Sequence, residues 1–270
     1  MAQNDPSKPN HLEPSPLGTK EYWDNIYSTE ITNHAADPSD EGTIWFDDSA
    51  AEDKIISFLD TQILDSKILG AGIGRHNCSF LDLGTGNGHF LFRLRGGEGD
   101  DACEEEDGGE SAIWKGRMLG VDYSEKSVEL ARGIAQDKGF GPGSGTAEVE
   151  FRWWDLMVQD PSGVVLEGSG DKGWDIVVDK GTFDAISLSE EMDQTGRRVC
   201  EGYKERVIPL IRVGGILLVT SCNWTEDELR AWFDGGELEY VDTIKYKSFS
   251  FGGKKGQTIS SICLRKHQYP

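Results

Sequence analysis

The sequence predicts an α/β fold: a doubly wound, mostly parallel seven-stranded sheet with an antiparallel last strand. Three observations predict it. Short apolar strand patterns alternate with helical patterns five times along the chain, as parallel βαβ units do. Runs such as "DIVVD" and "ILLVTS" are almost wholly apolar, which suits strands covered by helices on both faces. Near the end, "LEYVDTIKY" and "TISSICLRK" have no long helix between them and read as an antiparallel hairpin around "FSFGGKKGQ".

Taken in order, residues 1–18 are rich in Pro, Ser and Asn and read as a flexible tail, because so few apolar groups cannot offset the entropy of ordering. Residues 19–270 form the single expected domain. "SAAEDKIISFLDTQIL" has helical spacing, with Asp47, Asp48 and Ser49 as candidate caps. "SFLDLG" is the first strand and "NGHFLFRLR" opens a helix. "GRMLGVD" is the second strand, followed by a helix capped by Ser124 and closed at Gly139. "AEVEFRWWD" is the third strand and "WDIVVD" the fourth. "TGRRVCEGYKERVIPLIRVGG" reads as one long helix ending at a Gly pair, before "ILLVTS" as the fifth strand. Two segments read as surface loops inserted into this frame. Residues 96–110 carry eight acids and no base, and residues 139–146 are Gly/Pro/Ser-rich.

Composition narrows the function classes. With 27 Lys and Arg against 48 Asp and Glu, the net charge of −21 disfavours phosphate contacts and direct nucleic-acid binding, and favours a basic partner. No segment approaches the roughly 18 apolar residues of a membrane helix, and the start of the chain has no apolar leader. Five scattered cysteines without paired spacing indicate neither zinc nor a disulfide framework. A reducing setting, cytoplasm or nucleus, follows as the expected location. Nothing demands more than a monomer.

Ligands of such sheets bind beyond the carboxyl ends of the strands. The first strand ends in "LDLGTGNGHF", where Gly84, Gly86 and Gly88 allow a sharp turn and a close backbone approach before a helix begins. A dinucleotide turn would place its third Gly one residue later. The second strand ends at Asp122; without the acidic insertion it lies at the spacing of a ribose-binding acid. The third strand offers Asp155 to an exocyclic amine and Leu156 to a ring face. The fourth ends in "DKGTFDA", where Asp179 is either a turn residue or a site residue. There, Lys180 reads as solvent-facing and Asp184 as a cap of the following turn. After the fifth strand, Asn223 and Trp224 either line a substrate channel or pack.

The ordered set of glycine turn, ribose acid and adenine acid resembles the class I, Rossmann-like S-adenosylmethionine-dependent methyltransferases. "FLDLGTGNGHFL", "GVDYS", "VVDKGTFDAISL", "TSCNWTEDEL" and "FSFGG", with "YWDNIY" and "IWF", look like the lysine methyltransferases of translation elongation factor 1-alpha, the METTL-ten or Efm-four type. The resemblance spans about residues 16–265. It implies S-adenosyl-L-methionine as cofactor and a basic protein, elongation factor 1-alpha, as partner. Gly84, Gly86 and Gly88 would line the methionine moiety, with Asp82 beside them. Asp122 and Tyr123 would hold the ribose, Asp155 and Leu156 would meet the adenine, and Trp45 would close over the cofactor. Asp179 would sit beside the methyl group, catalytic through a hydrogen bond to the cofactor's ammonium or the substrate amine. A small-molecule methyltransferase would share the cofactor half of this site. A NAD-dependent reductase or a noncatalytic binding module would share only the fold.

Overall fold

The computed structural model describes residues 8–64, 68–70, 72–96, 113–167, 172–251 and 254–268. The helices are α1 (Lys20–Ala36), α2 (Ala51–Leu64), α3 (His89–Leu94), α4 (Glu125–Asp137), α5 (Thr182–Ser187), α6 (Tyr203–Val207) and α7 (Glu226–Phe233). The strands are β1 (Phe80–Leu83), β2 (Met118–Asp122), β3 (Glu150–Trp153), β4 (Trp174–Lys180), β5 (Ile211–Ser221), β6 (Leu238–Ile244), β7 (Ser248–Phe251), β8 (Lys254–Gln257) and β9 (Ser260–Lys266). Seven of them form one sheet in the order β3-β2-β1-β4-β5-β9-β6. The first five pair in parallel, and β9 runs antiparallel to both β5 and β6.

Alternation along each strand builds the two cores. On β4, Ile176 and Val178 join one apolar cluster with Phe80, Met118 and Leu218, covered by Ile55 and Leu59 of α2 and Ala131 and Ile134 of α4. Val177 joins the opposite cluster with Leu81, Leu119 and Val219, covered by Phe183, Tyr203, Leu229 and Phe233. Each fully buried side chain of this size contributes about 1.5–3 kcal/mol, which makes the helices of both faces obligatory partners of the sheet. Register then sets the site: Leu83 lies beside Val121 on one side and Asp179 on the other. The turns leaving β1, β2 and β4 therefore emerge along one edge.

Capping follows the sequence where it was legible. Ser124 accepts from the Ser127 N–H at 3.3 Å, Gly139 closes α4 with φ +76°, and Thr225 and Glu228 form a reciprocal capping box on α7. Asp47, Asp48 and Ser49 instead form a short 3-10 turn, and α2 starts after Ala50.

Four further features differ from expectation. The segment 195–215 is not one helix: a 3-10 turn, the short α6 and a second 3-10 turn lead directly into β5 at Ile211. Pro209 cannot donate a helical hydrogen bond. The Gly214–Gly215 pair lies within β5, where the register with β4 slips. Residues 8–18 pack on the body. His11 stacks on Trp232, Leu12 joins the second cluster, Ser15 N–H donates to the Leu188 carbonyl, and Trp23 Nε1 donates to the Leu17 carbonyl. A few ring and backbone anchors fix this polar stretch in spite of its composition. "FSFGGKKGQ" is more than a connection, since β7 and β8 pair as their own hairpin. α1 has no counterpart among the expected helices: Trp23, Ile26, Tyr27 and Ile31 pack on the core, but the polar Glu30 and His34 are buried on the same helix and break up its apolar pattern. Residues 1–7, and all of the acidic segment 96–110 except Gly96, lie outside the described residues.

Candidate active site

The ends of β1 to β5 open onto one cleft, roofed by Trp23 and Tyr27 of α1 and by Thr43, Trp45 and Phe46. At the end of β1 the chain turns through Gly84 and Gly86, with φ of +62° and +59°. A Cβ on Gly84 would lie 2.1 Å from Thr182 Oγ1, whose hydroxyl donates to the Leu83 carbonyl at 2.6 Å. Only glycine lets the turns after β1 and β4 dock this closely. A Cβ on Gly86 would lie 3.2 Å from the Tyr27 hydroxyl, so that glycine keeps the wall beneath α1 thin.

Asp122, at the end of β2, faces the cleft while 4% exposed. Its Oδ2 accepts from the Gly86 N–H at 3.2 Å and its Oδ1 from the Ser124 N–H at 2.9 Å. Burial pushes its carboxyl up to about 6, with those N–H groups opposing the shift. A carboxylate has about four acceptor positions, so capacity remains for the two hydroxyls of a ribose. Tyr123, Asp155 and Leu156 continue the wall. Asp155 Oδ1 accepts from the Met157 N–H at 2.9 Å, fixing the loop after β3. Apolar face, carboxylate and glycine turn therefore stand in the order β3, β2, β1 along the edge.

Residues 75–259 match the family described as "Methyltransferase domain". Over 256 residues the chain is 39% identical to "Protein-lysine N-methyltransferase EFM4" of Saccharomyces cerevisiae, covering 94% of this chain and 96% of that protein. The chain belongs to this methyltransferase family. It is also 29% identical to "EEF1A lysine methyltransferase 2" of Homo sapiens, over 94% of this chain and 88% of that protein. Among solved structures, the magnesium protoporphyrin IX methyltransferase ChlM of Synechocystis with bound S-adenosylmethionine aligns at a TM-score of 0.53 and 14% identity, covering 92% and 96% of the two chains. The [4+2]-cyclase SpnF aligns at a TM-score of 0.52 and 14% identity, covering 96% and 99%. Those two likenesses concern the fold alone, which evidently serves more than one reaction.

The methyl donor that this family implies, S-adenosylmethionine, fits the residues present. The glycine turn that a Cβ would obstruct, the buried Asp122 with spare acceptor capacity and the apolar Leu156 suit its amino-acid, ribose and adenine parts in turn. Of the residues expected from sequence, the methyltransferase brings Trp45, Gly84, Gly86, Asp122, Tyr123, Asp155, Leu156 and Asn223 to the cleft.

Four others lie behind its wall. Gly88 starts α3, where a Cβ would strike the Phe151 ring at 2.6 Å, so it serves packing. Asp82 accepts from the Thr85 hydroxyl at 2.7 Å and supports the glycine turn from beneath; burial pushes its carboxyl up to about 7 against the pull of Lys180. Trp224 is buried against Phe183 and Trp232. Asp179 is fully buried and does not line the cleft. Its oxygens accept from the N–H groups of Thr182 at 2.8 Å and Phe183 at 3.1 Å and from the Tyr203 hydroxyl. Burial pushes it up to about 7. The structure therefore departs from the expected contact with the methyl group, because these donors from α5 and α6 draw the carboxylate inward.

The sequence reading missed other wall residues. Lys180 does not point to solvent: its ammonium lies 3.5 Å from Glu52 Oε1 and 3.4 Å from the Trp45 carbonyl oxygen. Burial pushes Glu52 up, but His89 Nδ1 at 2.7 Å and the Lys180 charge hold it below the ordinary carboxylate range. Asp184 does not cap its own turn. It accepts from the Ser221 hydroxyl and from the Cys222 N–H at 2.8 Å, tying α5 to the end of β5. Trp23 and Tyr27, four residues apart in "YWDNIY", carried a helical-spacing signal that could have placed both on one face.

Proposed function

We propose that this methyltransferase transfers a methyl group from S-adenosylmethionine to the ε-amine of a lysine in translation elongation factor 1-alpha. The reading is carried by near-full-length similarity to an enzyme named as a protein-lysine N-methyltransferase, at 39% identity, together with relatives whose names specify EEF1A. The donor, when bound, supplies an electrophilic methyl group with a good leaving group. What remains for the protein is alignment and exclusion of water, and alignment contributes roughly 7–11 kcal/mol. A lysine with a pKa near 10.4 loses its proton at pH 7 at a cost of about 4.6 kcal/mol. The alignment gain exceeds that cost, so the chain needs no strong dedicated base and water can take the proton.

In this reading Asp122 orients the ribose, Gly84 and Gly86 admit the amino-acid end, and Trp23, Tyr27 and Trp45 cover it. Asp179 acts as a positioning residue that holds the start of α5. The net charge of −21 favours encounter with a basic protein acceptor. We propose the enzyme as a monomer of the cytosol or nucleus that does not bind nucleic acid directly. The test is to incubate the full chain with labelled S-adenosylmethionine and purified elongation factor 1-alpha, then to map the product by mass spectrometry. Label on a lysine is expected. Label found only on a small metabolite would overturn the proposal.

A further inference from the structure

The sheet order separates the two ends of the cleft. β2, which presents the ribose carboxylate, lies three strands from β5, or about 14 Å at ordinary strand spacing. A donor whose nucleoside sits over β2 and β3 and whose amino-acid end sits at β1 therefore leaves β4 and β5 for the acceptor.

Several features of that far end have no part in holding the donor. Asp184 lines the cleft with 5% of its surface exposed. Its Oδ1 accepts from the Ser221 hydroxyl, and its Oδ2 from the Cys222 N–H at 2.8 Å and the Cys222 thiol at 3.4 Å. Those anchors, with a further contribution from the Asn223 N–H, fix the carboxylate; Oδ1, met by the Ser221 hydroxyl, keeps acceptor capacity. The nearby cation does not use that capacity, since Lys180 is engaged by Glu52 and the Trp45 carbonyl. The same cleft has an aromatic wall beside the turn after β4. The Phe46 ring lies against Gly181, where a Cβ would meet it at 3.3 Å. Phe46 holds this position from a left-handed backbone, φ +68°, and Ala50 on the far side of the same turn has φ +51°. Such conformations in non-glycine residues persist where the surroundings enforce them, and they concentrate at ligand clamps. Cys222 and Asn223 are exposed on the opposite rim.

We infer that Asp184 receives the ammonium of the acceptor lysine, with the Phe46 ring as the apolar wall along its four-carbon stem. This rests on the reading of the protein as a lysine methyltransferase. A long apolar stem ending in a hydrogen-bonding cation calls for such a pairing of an aromatic face with a fixed carboxylate. Because Asp184 binds the charged form, before the proton is lost, its contribution falls on acceptor binding more than on the rate of transfer.

The test is a mutant cycle between Asp184 and the acceptor amine. Asp184→Asn keeps an acceptor for the Cys222 N–H while the charge is lost; Ser221 Oγ already accepts from the Asn223 and Trp224 N–H groups, so its hydroxyl gives up its partner on residue 184, and the S-adenosylhomocysteine affinity reports whether the site stays intact. The substitution should raise KM for elongation factor 1-alpha about tenfold or more, with kcat changed less and the Kd for S-adenosylhomocysteine unchanged. With S-adenosylhomocysteine bound, the wild-type enzyme should prefer elongation factor 1-alpha over its variant with methionine at the mapped lysine, and Asp184→Asn should lose that preference. Phe46→Ala, remote from those hydrogen bonds, should raise KM independently. An Asp184→Asn enzyme that keeps the full preference for lysine, or a Phe46→Ala enzyme with wild-type KM, overturns the inference. Absence of lysine methylation by the wild-type enzyme would instead strike the underlying reading of its function.

Discussion

The two halves of the cleft are built by different means. Over β1, β2 and β3 the wall is made of short segments immediately following each strand: the turn at Gly84–Gly86, Asp122 and the Asp155–Leu156 pair. Backbone N–H groups fix the Asp122 carboxylate there. Over β4 and β5 the wall is assembled from side chains far apart in the chain, with Phe46 facing Gly181 and with Asp184 tied to Ser221 and Cys222. The half over β1–β3 is thus specified by local backbone geometry and the half over β4 and β5 by tertiary packing. Substitutions in the two halves should fail in different ways.

The sharpest break is at Gly84. A side chain there must hold φ +62° and also displace Thr182 Oγ1, which lies 2.1 Å from an ideal Cβ. The backbone strain alone is about 1–2 kcal/mol, and the steric conflict adds to it. Gly84→Val is expected to abolish measurable S-adenosylhomocysteine binding by calorimetry, with partial recovery in Gly84→Val/Thr182→Ala. A residue of the same size at exposed Asn223 in the other half should change that affinity by no more than about twofold. Equal losses at both positions would erase the distinction between the halves.

Asp179 tests the boundary between them. Asp179→Ala leaves the Tyr203 hydroxyl and the N–H groups of Thr182 and Phe183 without their acceptor. Unmet buried donors cost about 1–3 kcal/mol each, so a loss of roughly 3–9 kcal/mol in urea unfolding is expected. The folded fraction should bind S-adenosylhomocysteine normally. Weakened binding with unchanged stability would restore Asp179 to the cleft. The carboxyl also has a pH signature. Its folded value of about 7 lies above the ordinary 3.8, so the folded state holds the proton more tightly. Its contribution to stability is full below about pH 4 and is lost as pH rises towards 7. The stability deficit of Asp179→Asn should accordingly shrink between pH 5 and pH 8.

This residue also marks where the sequence stopped being legible. Strand alternation, the glycine turn and the acid ending β2 are periodic or local signals; they place the sheet, and the structure brings the glycine turn and Asp122 to one cleft. Asp179 ends an apolar strand just as Asp122 does, and no local pattern distinguishes them. The difference comes from Tyr203 in α6, 24 residues later, a partner that spacing cannot reveal. Lys180 likewise reads as solvated until Glu52 of α2 is brought beside it. The polar segment 8–18 reads as tail because its anchors, Trp232 and the Leu188 carbonyl, belong to the opposite end of the fold.

Asp122→Asn should have a smaller effect than either of these. It retains acceptor capacity but loses the charge that strengthens hydrogen bonds from a ribose. About 10- to 100-fold weaker S-adenosylhomocysteine binding is expected, with a stability loss of about 1–3 kcal/mol because either the Gly86 or the Ser124 N–H gives up its acceptor. Asp184→Asn should leave this affinity untouched, since it lies over the other half.

The smallest expected effect is the pH dependence of donor binding. Burial pushes Asp122 up to about 6, and hydroxyls donating to it favour the ionised form. Binding then releases a proton, so affinity for S-adenosylhomocysteine should rise by up to about tenfold from pH 5 to pH 7 and level off above. Titration calorimetry in buffers of different ionisation enthalpy would measure the proton directly. Asp122→Asn should flatten the profile and Asp184→Asn should not. A slope that survives in Asp122→Asn would move the titrating group to Asp82, whose carboxyl lies behind the glycine turn and is pushed up to about 7 chiefly by burial, the Asp122 charge that this variant removes being a smaller contribution. The β1–β3 half would then sense pH through the support of its turn rather than through Asp122.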